Sequence, residues 1–61
     1  MIYKCIYNSD SHNRLTLNRN YKVLDINTDE GVTIITIEDN LGDIVCYYTK
    51  DTNDKIWFIK I

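Results

Sequence analysis

The chain has 61 residues, a formal net charge of −2 and a pI near 5.0. That length fits one domain, and such a domain buries only about 60% of its unfolded surface. At 44% hydrophobic and 11% aromatic, the composition is too apolar for a disordered chain. The acidic balance, with seven Lys and Arg of which no two are adjacent, argues against nucleic acid as the main partner. No apolar run approaches the ~20 residues of a membrane span, and no signal-peptide pattern opens the chain, so the expected compartment is the cytoplasm. Cys5 and Cys46 are the only cysteines and are expected to be buried free thiols. With His12 as the lone histidine they cannot supply the four ligands of a structural zinc site. No metal and no cofactor is expected.

Residues 1–8, MIYKCIYN, alternate Ile2, Lys4 and Ile6 with Tyr3, Cys5 and Tyr7, a strand apolar on both faces. Residues 9–14, SDSHNR, have no periodicity and read as a mobile surface loop. Residues 15–17 are a short extended piece. Residues 18–20, NRN, form a turn in which Asn18 or Asn20 tolerates the left-handed conformation. A strand is expected over residues 21–26, then a turn over 27–31 with Gly31 at positive φ. Residues 31–48 form the central hairpin. Residues 32–38 are almost wholly β-branched and suit a pleated, half-buried surface. The turn at Asp39-Asn40-Leu41-Gly42 fits a type I turn with a glycine bulge. If Asp39 faces Asp43, Ile37 stands opposite Val45 and Ile35 opposite Tyr47. Ile34, Thr36, Ile44, Cys46 and Tyr48 then share the other face. Residues 49–55 are a second polar loop with room for one short helical turn, and residues 56–61, IWFIKI, are a closing strand.

Five or six short strands without a helical stripe predict an all-β fold, a barrel or sandwich. Its expected core is Ile35, Ile37, Val45, Tyr47, Val23 and Tyr21, completed by Leu17, Cys5 and Phe58. Residues 15–24, LTLNRNYKVL, resemble the diverging-turn segment of Src-homology-3-like barrels. The opening Lys4-Cys5-Ile6-Tyr7-Asn8, together with Leu15-Thr16, Tyr21-Lys22-Val23-Leu24 and the turn from Asp39 to Asp43, is similar to a further group. These are short, mostly uncharacterised proteins of low-GC Gram-positive bacteria and their phages, which open K-C-I-x-N and carry a D-x-x-G hairpin. The resemblance covers roughly residues 4–47 and implies a small antiparallel barrel. Asn18 stands where that group usually has Gly, and Tyr47-Tyr48 replaces its tyrosine-proline pair. The Trp with which signalling Src-homology-3 domains grip proline-rich peptides is here Val32 or Thr33. Proline is absent, so that binding mode is not expected.

No residue set specifies a reaction. His12, Asp10 and Arg14 share a six-residue loop that offers no pocket, and Cys5 sits mid-strand among apolar neighbours, where thiols are inert. The acidic residues gather at turns and read as solvated turn chemistry. The aromatics carry more: a barrel this small cannot hold all of them, and Tyr and Trp anchor protein interfaces at low entropic cost. The expected function is therefore non-enzymatic protein–protein interaction. The candidate interface is Ile34, Ile44, Tyr48, Trp57, Tyr3 and Tyr7, and a homodimer or hetero-complex would cover it. The resemblance implies a phage or prophage accessory protein that binds and inhibits a bacterial host factor, such as a defence component, in the host cytoplasm. The alternative is a nucleic-acid-associated small barrel that stacks bases on its tyrosines.

Overall fold

The structure is a computed structural model that describes residues 1–9 and 11–61. Six strands run in chain order: β1 (Ile2–Cys5), β2 (Asn20–Lys22), β3 (Asp25–Asp29), β4 (Val32–Glu38), β5 (Ile44–Tyr48) and β6 (Phe58–Lys60). They form two antiparallel three-stranded sheets, β2-β1-β6 and β3-β4-β5, and no helix occurs among the described residues. The fold is all-β, as the strand pattern predicts. The ladders do not close on one another into a barrel.

Two corners join the sheets. At the first, the strand expected over 21–26 breaks. Val23 N–H bonds the Met1 carbonyl at 2.9 Å in one sheet, while Leu24 N–H bonds the Thr36 carbonyl at 2.7 Å in the other. Asp25 already faces Thr36, so two residues stand opposite one, a bulge that bends the strand out of one sheet into the next. The other corner is Thr49. Its N–H bonds the Thr33 carbonyl at 2.9 Å, and its carbonyl accepts the Trp57 N–H at 2.8 Å. A single bridge between Lys50 and Ile56 extends that contact.

The hairpin has the expected register: Ile37 pairs with Val45, Ile35 with Tyr47 and Thr36 with Cys46. Gly42 N–H bonds the Asp39 carbonyl at 3.1 Å and Gly42 has a φ of 83°, the geometry in which a side chain would be strained. The turn between β3 and β4 is shorter than expected. Asp29 already pairs with Val32, leaving only Glu30 and Gly31, both at positive φ (49° and 81°), as a two-residue hairpin turn. Asn18 takes the left-handed conformation (φ 66°), as its residue type allows.

Residues 51–55, where the sequence leaves room for a helical turn, instead repeat the chemistry of the 39–43 turn. Asp39 N–H bonds the Asp43 carbonyl, and its Oδ1 accepts the N–H groups of Leu41 and Asp43 at 2.9 and 3.0 Å. Asp51 N–H bonds the Lys55 carbonyl, and its Oδ1 accepts the N–H groups of Asn53 and Lys55 at 2.8 and 3.0 Å. Where the first turn has Gly42, the second has Asp54 at a φ of 63°.

The core lies between the sheets: Tyr3, Cys5, Tyr21 and Phe58 from one, Ile35 and Ile37 from the other, and Leu15 from the loop before β2. Val23, Tyr47 and Trp57 pack against it half-buried. The aromatic rings meet edge-on or tilted, with Tyr21–Phe58 centroids 6.3 Å apart and Tyr47–Phe58 centroids 5.7 Å apart. Three expectations need correction. Leu17 is 49% exposed and Leu15 takes its place. Val45 faces inward but is only half-buried. Cys46 is exposed, although both thiols are free as expected.

Ile37→Ala, which empties a fully buried site, should cost about 2–5 kcal/mol in urea unfolding, whereas Ile44→Ala on the opposite face should fall within about 0.5 kcal/mol of wild type. Equal losses would mean the two faces are misassigned. Asp54→Gly should raise the urea midpoint, adding about 0.5–1 kcal/mol by relieving the left-handed backbone, with the m-value unchanged. A lower midpoint would show that the Asp54 side chain contributes more than its strain.

Candidate functional site

The outer face of the β3-β4-β5 sheet follows from strand alternation once the inner rows are fixed. Rows Ile26–Ile35–Tyr47 and Ile37–Val45 point inward, so Asp25–Thr36–Cys46, Asn27–Ile34–Tyr48, Asp29–Val32 and Glu38–Ile44 point outward. Ile44 is 60% and Tyr48 50% exposed; Cys46 is exposed and Ile34 and Val32 half-buried. The apolar strip is thus flanked by Asp25, Asp29 and Glu38, with Lys50, paired with Asp54 at 3.2 Å, beside it just past the end of β5. Tyr48 is held in place by its hydroxyl, which donates to Asp29 Oδ2 at 2.9 Å. That bond, reinforced by the charge of Asp29, pushes the phenol pKa up. Thr36 Oγ1 lies 3.2 Å from Cys46 Sγ.

β5 is an edge strand of this sheet. Beside it runs an open cleft of about 550 Å³, lined by Tyr47, Tyr48, Lys50, Asp51 and Trp57 among others. Trp57 is fixed from two sides. Its Nε1–H donates to Asp51 Oδ2 at 3.0 Å, and its ring meets that of Tyr7 edge-on at 5.3 Å. The Lys55 ammonium stands over the Tyr7 ring, 5.6 Å from its centroid. The Trp57 hydrogen bond, with those from the Lys55 and Asn53 N–H groups, outweighs burial and holds the Asp51 carboxyl below the usual carboxylate range.

The candidate interface residues therefore divide. Ile34, Ile44 and Tyr48 come together on the outer sheet face. Trp57 and Tyr7 form a separate unit at the Thr49 corner. Tyr3 is 8% exposed, in the core, and offers no surface. Lys4 carries the reason: it shares a face with Ile2 and Ile6, so that row faces solvent and the Tyr3–Cys5 row faces in. With Tyr3 and Tyr21 inside, the rings with exposed surface are Tyr48 and the half-buried Tyr7, Tyr47 and Trp57.

Of the loop residues His12, Asp10 and Arg14, only the first and last can be placed. His12 is exposed and Asp10 lies outside the described residues. Arg14 is bound elsewhere: its Nη1 donates to Asp39 Oδ2 at 2.7 Å and to Asp43 Oδ2 at 3.0 Å. The end of a loop that reads as mobile is thus tied to the hairpin turn. Cys5 is fully buried, burial pushes its thiol pKa up, and its Sγ donates to the Tyr7 carbonyl at 3.5 Å. Among the described residues no group of three His, Cys, Asp or Glu side chains is placed to hold a metal ion. Among the described residues no helix is long and apolar enough to cross a membrane.

The Asp39 cluster escapes a reading of spacing alone, because Arg14 is 25 positions away in sequence. Its one sequence signal is the Asp at the head of a D-x-x-G turn, a residue type that bonds turn backbone. No family model, no curated protein and no solved structure matches this chain.

Burial alone would raise the Asp39 carboxyl, but the hydrogen bonds from Arg14 and from the Asp43 and Leu41 N–H groups outweigh it and hold the pKa below the usual range. A carboxyl depressed in the folded state stabilises the fold above the unfolded value, near 4, and this contribution is lost as pH falls through the lower folded value. Thermal midpoints should therefore drop as pH falls below about 4. Asp39→Asn should lower the midpoint at pH 7 and flatten the acid decline, leaving the share due to Asp51. An unchanged acid slope would remove Asp39 from the account.

Proposed function

We propose that this chain is a non-enzymatic protein-interaction module whose docking surface is the outer face of β3-β4-β5. The carrying observation is an apolar strip, with Ile44, Cys46 and Tyr48 exposed and Ile34 half-buried, edged by Asp25, Asp29 and Glu38. Apolar centres with polar rims are the anatomy of protein interfaces, and soluble monomers seldom keep such strips uncovered. The rim selects the partner's chemistry: an apolar patch bordered by Lys or Arg. Complementary charge of this kind steers encounter and rejects acidic surfaces.

The two bent corners, at Val23–Leu24 and at Thr49, support reading the sheets as halves of a small Src-homology-3-like barrel. The resemblance of the opening strand, the 15–24 segment and the D-x-x-G turn to short phage and prophage proteins supplies the concrete version. In it the chain is an accessory protein that blocks a bacterial host factor, such as a defence component, by occupying that factor's basic surface.

The test is a capture experiment from a lysate of a low-GC Gram-positive host, run in parallel with wild type, Ile44→Asp and Ile56→Asp. Ile44 and Ile56 are both exposed, but only Ile44 lies on the docking face. A partner retained by wild type and Ile56→Asp and lost with Ile44→Asp is the expected result. Equal retention by all three would place the docking surface elsewhere.

A further inference from the structure

The two outer faces of this chain carry opposite charge in matching columns. On β2-β1-β6 the outward rows are Lys22–Ile2–Ile61 and Asn20–Lys4–Ile59. Two lysines lie on these rows and no acid. On β3-β4-β5 the outward rows hold Asp25, Asp29 and Glu38, and the one base that borders them, Lys50 just past β5, is paired with Asp54 at 3.2 Å. The columns correspond from edge to edge. Lys22 on the β2 edge answers Asp25 and Asp29 on the β3 edge, and Lys4 on central β1 answers Glu38 on central β4. Ile59 and Ile61 along β6 answer Ile44, Cys46 and Tyr48 on the β5 edge. Ile2, Ile59 and Ile61 are exposed like their counterparts, so each face is an apolar strip with charge on one side.

We propose that the acidic face of one copy docks on the basic face of a second copy, sheet on sheet, with the charged columns together and the apolar columns together. This rests on the acidic face being a docking surface, and it names the occupant. Charge complementarity selects this arrangement over a two-fold one. Pairing two acidic faces about an axis across the strands sets three carboxylates on each copy against the same three on the other, and an axis along the strands sets the acidic β3 edge of each copy against the apolar β5 edge of its partner. Two basic faces fare alike: Lys4 and Lys22 meet their own kind, or Lys22 meets the isoleucines of β6. The first arrangement is repulsive and the second leaves charges against apolar side chains, whereas the acidic–basic pairing brings opposite charges together at every charged column. Stacked sheets pack about 10 Å apart, a spacing that side chains of this size fill. Because the two surfaces differ, the contact is heterologous. A joined pair still has one free face of each kind, so association continues into rings or open chains.

The experiment is sedimentation velocity on wild type, Lys4→Glu/Lys22→Glu and Asp25→Lys/Glu38→Lys, with circular dichroism to check folding and Lys22→Glu alone as a gentler variant. Wild type should exceed the 7.2 kDa monomer at high micromolar concentration, and association should weaken about tenfold or more in high salt. Each reversed variant alone should be monomeric. Their equimolar mixture should associate again, since every acidic face then finds a basic one. The inference falls if Lys4→Glu/Lys22→Glu and Lys22→Glu associate like wild type, because the basic face is then not used. It also falls if wild type stays monomeric throughout. In that case partner capture that depends on Ile44 would still leave the docking face standing, with a foreign protein as its occupant. Loss of that capture as well would remove both.

Discussion

The carboxylate of Asp39 ties the hairpin to the rest of the chain, and the core depends on that tie. Its side chain has no exposed surface, yet each oxygen is satisfied: Oδ1 by two turn N–H groups and Oδ2 by the Arg14 guanidinium. An unpaired buried charge would be strongly destabilising; one with three donors is not. The neighbouring Asn40 extends the tie. Its N–H bonds the Arg14 carbonyl, its Oδ1 accepts from Tyr21 Oη and Arg19, and its Nδ2 donates to Thr16 Oγ1. The tip of one sheet's hairpin thereby holds the whole segment that leads into β2 of the other. Asn8 closes the remaining side, donating to the Leu15 carbonyl at 2.8 Å. With its backbone held in this way, Leu15 can enter the core completely.

The same device occurs a second time. Asp51 caps its own turn with one carboxylate oxygen and fixes Trp57 with the other, as Asp39 does with Arg14. One turn anchors a cation and the other an indole: the first ties the hairpin tip to the segment before β2, and the second pins the Thr49 corner. This explains how a chain with few long strands keeps its ends in place. The tight turns double as ties, since an Asp at the head of a turn has one oxygen to spare after satisfying the backbone.

The hairpin was legible because two independent signals agree there. The alternation of β-branched residues sets the faces, and Asp39 with Gly42 sets the turn, so the pairing admits one register. Elsewhere one signal stood alone. Leu15 and Leu17 share a face only if the segment is extended; the chain instead turns at 16–19, with Asn18 left-handed, and parity no longer applies. Tyr21 to Ile26 looks like one strand because its composition is uniform, and nothing local marks the bend at Val23–Leu24. That bend exists because consecutive N–H groups are claimed by different sheets. In IWFIKI the row containing Phe58 also contains Lys60, so the polar residue that identifies the outer row in β1 points the wrong way in β6. On the candidate interface, the hairpin residues were readable and Tyr3 was not, although Lys4 held the clue.

Among the described residues, seven hydrophobic side chains are buried, whereas twelve large ones are exposed. Some of that imbalance is geometric, since a domain of this size has too little interior. Geometry does not explain the arrangement. An antiparallel sheet with one covered face folds equally well with polar residues on the other, and alternation normally supplies them. Here both outer faces keep isoleucines at pleat positions where Thr, Lys or Glu would serve a monomer. Opposite charges are sorted onto the two faces instead of being interspersed, as general solubility would favour. Apolar strips alone would allow a face to pair with its own kind in several registers. In the stacking proposed above, the sign of charge on each face disfavours like pairing and favours acidic on basic, so the charges would select partner and orientation while the apolar strip provides the attraction.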